Sequence, residues 1–158
     1  MNALGDRAGF HTGTVNVLPH VTPEQREAIM TAPRTSETHR AFMADIPAMS
    51  MVETGGAATD ATVPRVFTVA AWNLERCLFP EKSAALLAGQ TPDVVLLTEM
   101  DCGMARTAQR HPTSEIAAAL GMHYSYGVEF FEIGLGGETE RPYCVDAGNR
   151  IGWHGNAV

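Results

Sequence analysis

Cysteine is scarce in this chain, and its scarcity excludes two structural classes. The 158 residues include three cysteines, at positions 77, 102 and 144. They are too few and too widely spaced for a disulfide framework or for a zinc site built from paired Cys-x-x-Cys motifs. The first 20 residues also lack the apolar run of a secretory signal. An odd number of cysteines without an export signal favours a reducing cytoplasm.

Long apolar stretches and clusters of basic residues are also missing. No segment approaches the roughly 20 apolar residues that a membrane-spanning helix needs. Eleven basic residues stand against 18 acidic ones, giving a net charge of −7 without a basic stripe. Nucleic-acid binding is therefore not indicated by charge, although a cation and local loops would allow it. An acidic domain that handles phosphates needs a divalent cation to attract them.

Large apolar side chains are unevenly distributed and divide the chain into three parts. Leu, Ile, Val and Phe number 33, of which 22 lie in residues 66–158 and 11 in residues 1–65. We therefore expect the core to form within residues 66–158. We interpret residues 1–52 as a helical N-terminal extension, with helices at about 23–32 and 36–44. The small, polar residues 53–65 are interpreted as a linker.

The order of strands and helices in residues 66–158 predicts an α/β fold. Apolar runs predict buried strands at 66–72 and 94–98, the second covered on both faces. Further predicted elements are a helix from Pro80 to Gly89, a helix capped by Thr113 or Ser114, and a strand at 124–133. A long loop at 134–150 then leads into another strand at 151–158. The strand–helix–strand spacing predicts that the first two strands are parallel neighbours.

Two polar residues stand where these parallel strands end. Asn73 follows the first strand and Glu99 follows the second. Because the carboxyl ends of parallel neighbours lie side by side, both side chains are expected to face one crevice. An amide oxygen, a carboxylate and waters suit Mg²⁺ or Mn²⁺ better than zinc. The alternative is an Asx turn made by Asn73 and a solvated Glu99.

Other polar residues leave more than one interpretation open. Asp101 is either a second acceptor near Glu99 or an exposed loop charge. The pair Arg110–His111 either contacts a phosphate or lies exposed in a loop. His154 and Asn156 share one face if their segment is extended, and Gly155 between them lets a ligand approach the backbone. A purely structural role for His154 remains the alternative.

Three segments together resemble the endonuclease/exonuclease/phosphatase family, which includes DNase I-like nucleases, inositol phosphatases and sphingomyelinases. They are the strand ending in Ala71-Trp72-Asn73, the run 92–101 that contains Glu99, and residues 154–158. Thr98 stands where the family usually has Gln. The resemblance covers residues 66–158. It implies a DNase I-like α/β sandwich, truncated to its N-terminal half and preceded by the helical extension.

The resemblance also implies roles for individual residues. Asn73 and Glu99 would be metal ligands for Mg²⁺ or Mn²⁺, and His154 and Asn156 would be catalytic residues lining the phosphate pocket. A complete domain would hydrolyse a phosphate-ester substrate by in-line attack of water. The family's later D-x-N and S-D-H motifs do not occur in this sequence. We therefore expect little or no turnover from this chain alone.

The sequence thus predicts a metal-dependent phosphoesterase, with two alternatives. One is a non-catalytic fragment or binding module that pairs, or self-associates, through an exposed sheet edge near residues 151–158. The other is a chance resemblance in a domain that binds a different small molecule.

Overall fold

The computed structural model describes residues 13–58, 62 and 64–158 and shows a mixed α/β fold. Its strands are β1 Gly13–Val15, β2 Met51–Gly56, β3 Val69–Arg76, β4 Val94–Cys102, β5 His123–Phe131 and β6 Trp153–Ala157. Its α-helices are α1 Pro23–Thr31, α2 Ser36–Asp45, α3 Pro80–Ala88 and α4 Pro112–Leu120. Short 3₁₀ turns lie at Pro47–Ser50, Ala105–Thr107 and Arg141–Tyr143. No helix among the described residues is both long and apolar enough to span a membrane.

All six strands join one sheet, in the order β1-β2-β5-β6-β4-β3. The predicted parallel pairing of neighbouring strands β3 and β4 is confirmed, with α3 between them along the chain. Strand β6 pairs antiparallel with both β4 and β5. The carboxyl ends of β3 and β4 are therefore next to each other, and the beginning of β6 lies beside the end of β4.

Local sequence explains where the helices begin. Thr22 and Gln25 form a reciprocal capping box at the start of α1. Proline occupies the first turn of α1, α3 and α4, where its missing N–H removes no helical hydrogen bond. The cap of α4 is His111 rather than the predicted Thr113 or Ser114, because Pro112 already begins the helix. Gly121, with φ of 67°, ends α4 as predicted.

The linker predicted at 53–65 is wrong for residues 53–56. These residues continue β2, which pairs with β1 and β5, and the Glu53 side chain is buried. The buried carboxylate of Glu53 is tolerated because it accepts three hydrogen bonds. Their donors lie 35 to 71 residues away along the chain, so the polar composition of the segment does not reveal that Glu53 is buried. The extension therefore contributes β1 and β2 to the common sheet. Positions 59–61 and 63 of the predicted linker, and residues 1–12, lie outside the described residues.

Predictions of burial fail for β3 and β4. Strand β3 begins at Val69 rather than 66 and forms an edge of the sheet, where Val69 is 46% exposed. Strand β4 alternates between buried and exposed residues, and Leu96 is 40% exposed. Helices α3 and α4 pack against each other, and α4 packs on β4 and β5, so they cover one face of the sheet. Apolar runs therefore mark these strands correctly but overstate their burial.

The free edge predicted near residues 151–158 is also wrong. Strand β6 lies inside the sheet, between β4 and β5, and most of its residues are buried. Within the described residues the edges of the sheet are β1 and β3. The pairing partners of β6 come from segments more than 20 residues away, which short-range pattern alone does not reveal.

Candidate functional site

The structure brings Asn73 and Glu99 together, as their positions at parallel strand ends predict. The Asn73 side-chain Nδ2 donates to Glu99 Oε1 at 2.8 Å. The Oδ1 atom of Asn73 accepts from the backbone N–H of Glu75 at 2.9 Å, which is the Asx-turn bond of the alternative interpretation. The Asx turn of the alternative interpretation is therefore present, and the other end of the amide contacts Glu99, while the role of the two side chains as metal ligands stays a prediction.

Unusual backbone conformations present these side chains. Glu99 has φ of 57° and lies where the pairing of β4 with β6 shifts register, between Leu97 and Met100. Such a bulge re-aims a side chain, and a left-handed non-glycine residue costs free energy that the surrounding structure must offset. At the end of β3, Glu75, Arg76 and Cys77 have φ of 45°, 79° and 55°. Four of the seven non-glycine residues with positive φ in the described part of the chain therefore lie at the two strand ends that carry the candidate site.

Arg76 is the centre of the exposed part of the site. Its Nη1 donates to Glu99 Oε2 at 3.0 Å and lies 3.3 Å from His154 Nε2, while its Nε donates to Glu140 Oε1 at 2.7 Å. The side chains of Arg76 and Glu99 are 25% and 37% exposed. A cationic group thus occupies the space between two carboxylates and an imidazole.

Asp101 is a buried anchor, so its interpretation as an exposed loop charge is wrong. It lies in β4 and is completely buried. Arg106 donates to both of its oxygens, from Nε to Oδ2 at 2.7 Å and from Nη2 to Oδ1 at 2.9 Å. His154 Nδ1 lies 2.9 Å from Asp101 Oδ1. Asp101 pairs with His154 across β4 and β6, which places both side chains on the same face of the sheet.

Hydrogen bonding fixes the tautomer of His154. Arginine has donors and no acceptor, so the contact with Arg76 requires a lone pair on His154 Nε2. The ring proton then sits on Nδ1 and is donated to Asp101. Phe130 packs on the imidazole with ring centroids 4.5 Å apart. His154 is therefore held in one orientation with its Nε2 lone pair toward Arg76 and Glu99.

The loop after β5 closes one side of the site. Glu140 Oε1 accepts from Arg76 Nε and forms an ion pair with Arg106 Nη1 at 3.2 Å, and its Oε2 accepts from the Gly137 N–H at 2.7 Å. Burial raises the pKa of Glu140, but the Gly137 amide and the two guanidinium groups outweigh it and lower that pKa below its ordinary value. Asn149 fixes the loop by accepting from the Ala105 N–H and donating to two carbonyls in the segment 132–134.

Sequence reasoning missed Arg76, Arg106 and Glu140 as members of this site. Arg76 stands three residues after Asn73, at the same strand end, and this spacing is a signal that could have found it. Glu140 is 64 residues from its partner Arg76 and lies in a loop, so no local pattern marks it. Arg106 is five residues after Asp101 and completely paired with carboxylates.

The remaining predicted residues lie elsewhere. Asn156 is exposed on β6, and within the described part of the chain its side chain makes no hydrogen bond to the site. Arg110 is bonded to Glu81 and Glu115, and His111 to Glu53. Both residues are half-buried and form ion pairs, so the interpretation as an exposed loop pair is wrong, while the phosphate contact stays a prediction.

The charges of the site favour an added cation. We define the site cluster as Asn73, Arg76, Glu99, Asp101, Arg106, Glu132, Glu140 and His154. Four carboxylates in it face two guanidinium groups, so among these groups the carboxylates exceed the guanidinium groups by two. The described residues contain no group of three or more His, Cys, Asp or Glu arranged to hold a metal. Mg²⁺ keeps several waters and binds through one or two protein carboxylates, so Glu99 with the Asn73 amide fits its donor preference.

No family model, curated protein or solved structure matches the chain.

Proposed function

We propose that the site cluster is the cation centre of a metal-dependent phosphoesterase, in a DNase I-like α/β sandwich of the endonuclease/exonuclease/phosphatase type. The observation that carries the proposal is the 2.8 Å contact between Asn73 and Glu99 at the carboxyl ends of two parallel strands. Ligand sites of open α/β sheets lie at such strand ends. The excess of negative charge and the local backbone strain support the same position.

Glu99 and Asn73 would hold Mg²⁺ or Mn²⁺, once the Asn73 amide turns its oxygen toward the ion. A bound divalent cation neutralises negative charge on phosphate oxygens. Asp101 holds His154 in the tautomer whose Nε2 accepts a proton, and Arg106 holds the Asp101 carboxylate in place through two hydrogen bonds. In this arrangement His154 Nε2 would accept the proton of an attacking water. The exposed Asn156 is proposed, with His154, to contact the phosphate, as the family resemblance implies.

Calorimetric titration with Mn²⁺ tests the cation centre directly. The Glu99→Gln variant removes one negative charge while keeping the size of the side chain, and we expect it to weaken Mn²⁺ binding at least about tenfold. Glu129→Gln is the matched control, because Glu129 is exposed on β5. Equal Mn²⁺ affinity in the wild type and Glu99→Gln would contradict the proposal.

Hydrolysis of bis(p-nitrophenyl) phosphate and p-nitrophenyl phosphate with Mn²⁺ is the second test. We expect little turnover from the chain by itself, and we expect any turnover to require Glu99. Turnover that survives Glu99→Gln would show that the chemistry takes place elsewhere.

An exposed edge favours the binding-module alternative. Strand β3 is an eight-residue edge strand with exposed apolar side chains, including Val69 and Trp72. The occupant would be β3 of a second copy. Light scattering after gel filtration should then show a dimer that Val69→Lys dissociates, whereas Val145→Lys, in an exposed loop position, should not. A monomer at all concentrations would contradict this alternative.

A further inference from the structure

Arg76 is the residue of the site cluster whose role neither the sequence nor the proposed function explains. Its guanidinium contacts Glu99, Glu140 and His154 in the space beside the proposed cation ligands. A positive charge at this place satisfies the carboxylates, but it would repel a divalent ion bound to Glu99. The contact between Arg76 and Glu99 must therefore break when the ion binds.

The two arginines of the cluster differ in how easily they can be displaced. Arg106 is buried, and it donates to both oxygens of the buried Asp101 and also pairs with Glu132 and Glu140. The Arg76–Glu99 pair is partly exposed and has one contact, at 3.0 Å. Exposed ion pairs of this kind contribute little to stability, whereas breaking a buried pair is costly. Arg106 is thus fixed and Arg76 is exchangeable.

The backbone nevertheless directs Arg76 into the site. It lies at φ of 79° between two other left-handed residues, and the next residue, Cys77, is buried and donates its N–H to the Leu74 carbonyl. Its Nε bond to Glu140 is the shortest of its contacts, at 2.7 Å. If Nη1 leaves Glu99, the bond to Glu140 can remain and keep the guanidinium beside the site.

The guanidinium of Arg76 also has N–H groups that its present contacts do not use. Nε and Nη1 make the contacts described, and Nη2 donates to no other residue in the described part of the chain. Arginine binds phosphate oxygens through two parallel N–H groups, such as those of Nη1 and Nη2. An arginine that a cation displaces from a carboxylate is therefore ready to bind an anion.

We propose that Arg76 is the substrate-phosphate ligand of this site and is held on Glu99 and His154 until a divalent cation replaces it there. This inference rests on the proposed function, because it needs Glu99 to be a cation ligand. It assigns to one side chain two opposite effects: Arg76 weakens cation binding and strengthens phosphate binding. A merely structural residue would weaken both or neither.

Titrations of Arg76→Gln with Mn²⁺ and then with inorganic phosphate test the inference. We expect Mn²⁺ to bind about five- to tenfold more tightly than in the wild type, because no ion pair has to break and no guanidinium repels the ion. We expect phosphate to bind the Mn²⁺-saturated variant about tenfold more weakly. Arg76→Lys keeps the charge without the planar pair of donors, so its Mn²⁺ affinity should stay near the wild-type value while phosphate binding falls.

Two controls make the result decisive. Arg150→Gln removes an exposed arginine that pairs with Asp146, outside the site cluster, and should change neither affinity. Near-ultraviolet circular dichroism identifies variants that have lost their fold, and if Arg76→Gln is one of them, phosphate binding to Arg76→Lys decides the question. Unchanged or weaker Mn²⁺ binding in folded Arg76→Gln, or unchanged phosphate binding in either variant, would overturn the inference. If Glu99→Gln binds Mn²⁺ as the wild type does, the proposed function itself fails, which is a distinct outcome.

Discussion

Two clusters built from a carboxylate and a histidine lie on opposite faces of the same sheet. The site cluster contains Asp101 and His154. The second, which we call the helix-side cluster, consists of Glu53, His111 and Tyr124. Glu53 Oε1 accepts from Tyr124 at 2.9 Å and lies 2.8 Å from His111 Nε2, and its Oε2 accepts from the Leu18 N–H at 2.9 Å.

The helix-side cluster is closed and its charges are matched. Burial alone would lower the pKa of His111, but hydrogen bonds with Cys102 and Glu53 raise it to about 10. Burial likewise raises the pKa of Glu53, but His111, the Leu18 amide and Tyr124 outweigh it and lower that pKa. A protonated His111 therefore pairs with an ionised Glu53 at neutral pH. This cluster links the N-terminal segment, β2, β5 and the start of α4.

The comparison teaches that residue type does not separate structural from functional groups. Both clusters contain a histidine next to a buried carboxylate. In the helix-side cluster the remaining hydrogen bonds of that carboxylate come from a backbone amide and a tyrosine hydroxyl. The site cluster instead continues from Asp101 and His154 to the partly exposed Arg76 and Glu99. Excess negative charge and left-handed backbone also occur in the site cluster. The free energy of unfolding of variants in the two clusters, together with their Mn²⁺ affinity, tests this difference between a structural and a binding cluster.

Removal of Asp101 should have the largest effect on stability. Asp101→Ala leaves the buried Arg106 with fewer partners and His154 Nδ1 without an acceptor, and we expect a loss of about 3–5 kcal/mol. Urea unfolding measures it. Glu81→Ala, which removes an exposed partner of Arg110, is the control and should leave the free energy of unfolding nearly unchanged. Equal losses of unfolding free energy in Asp101→Ala and Glu81→Ala would show that the buried Asp101 does not stabilise the fold.

Removal of Glu53 should have the next largest effect. Glu53→Ala leaves the Leu18 amide, the Tyr124 hydroxyl and the His111 ring without their acceptor, and we expect a loss of about 2–3 kcal/mol. Mn²⁺ affinity should stay unchanged, because this cluster lies on the other face of the sheet. A fall in Mn²⁺ affinity without a loss of stability would reverse the assignment of the two clusters.

The ion pair of His111 should make stability depend on pH. Because folding raises the pKa of His111 to about 10, protonation stabilises the fold below pH about 6.5, and this contribution disappears as the pH rises through about 10. His111→Asn keeps a residue suited to cap α4 but removes the charge. The wild type should therefore exceed His111→Asn in stability by on the order of 2 kcal/mol at pH 6 and by much less at pH 10.

Urea unfolding of both proteins at the two pH values measures the difference. The His111 ring is 23% exposed, and its Nδ1 lies 3.4 Å from the Ser114 amide, too far for a strong cap. The ion pair with Glu53 should therefore dominate. A difference that does not change with pH would assign the role of His111 to capping instead.

Glu99→Gln should have the smallest effect on stability. The glutamine can still accept from Asn73, and the lost ion pair is partly exposed, so we expect a change below about 0.5 kcal/mol. Together with the expected loss of Mn²⁺ binding, this would separate a binding residue from a structural one. A loss as large as that of Asp101→Ala would instead make Glu99 part of the structural anchor.

Local patterns predict which helices and strands form better than they predict the burial of those elements and their contacts with distant segments. Helices α1 to α4, the parallel pair β3–β4 and the proximity of Asn73 to Glu99 follow from caps, prolines and apolar runs that act over a few residues. The linker prediction fails within Met51–Gly56 because the polar Glu53 is satisfied by His111 and Tyr124, 58 and 71 residues away. The same limit of range hides the contact of Arg76 with Glu140.

The sequence by itself determined the four helices, the parallel pair β3–β4 and the delivery of Asn73 and Glu99 to adjacent strand ends, since these depend on short-range hydrogen bonding and alternation. Tertiary structure alone decided that β6 lies inside the sheet, that Asp101 is buried, and that Arg76 stands between Glu99, Glu140 and His154. These outcomes depend on burial and charge pairing between distant segments, and no local pattern contains that information.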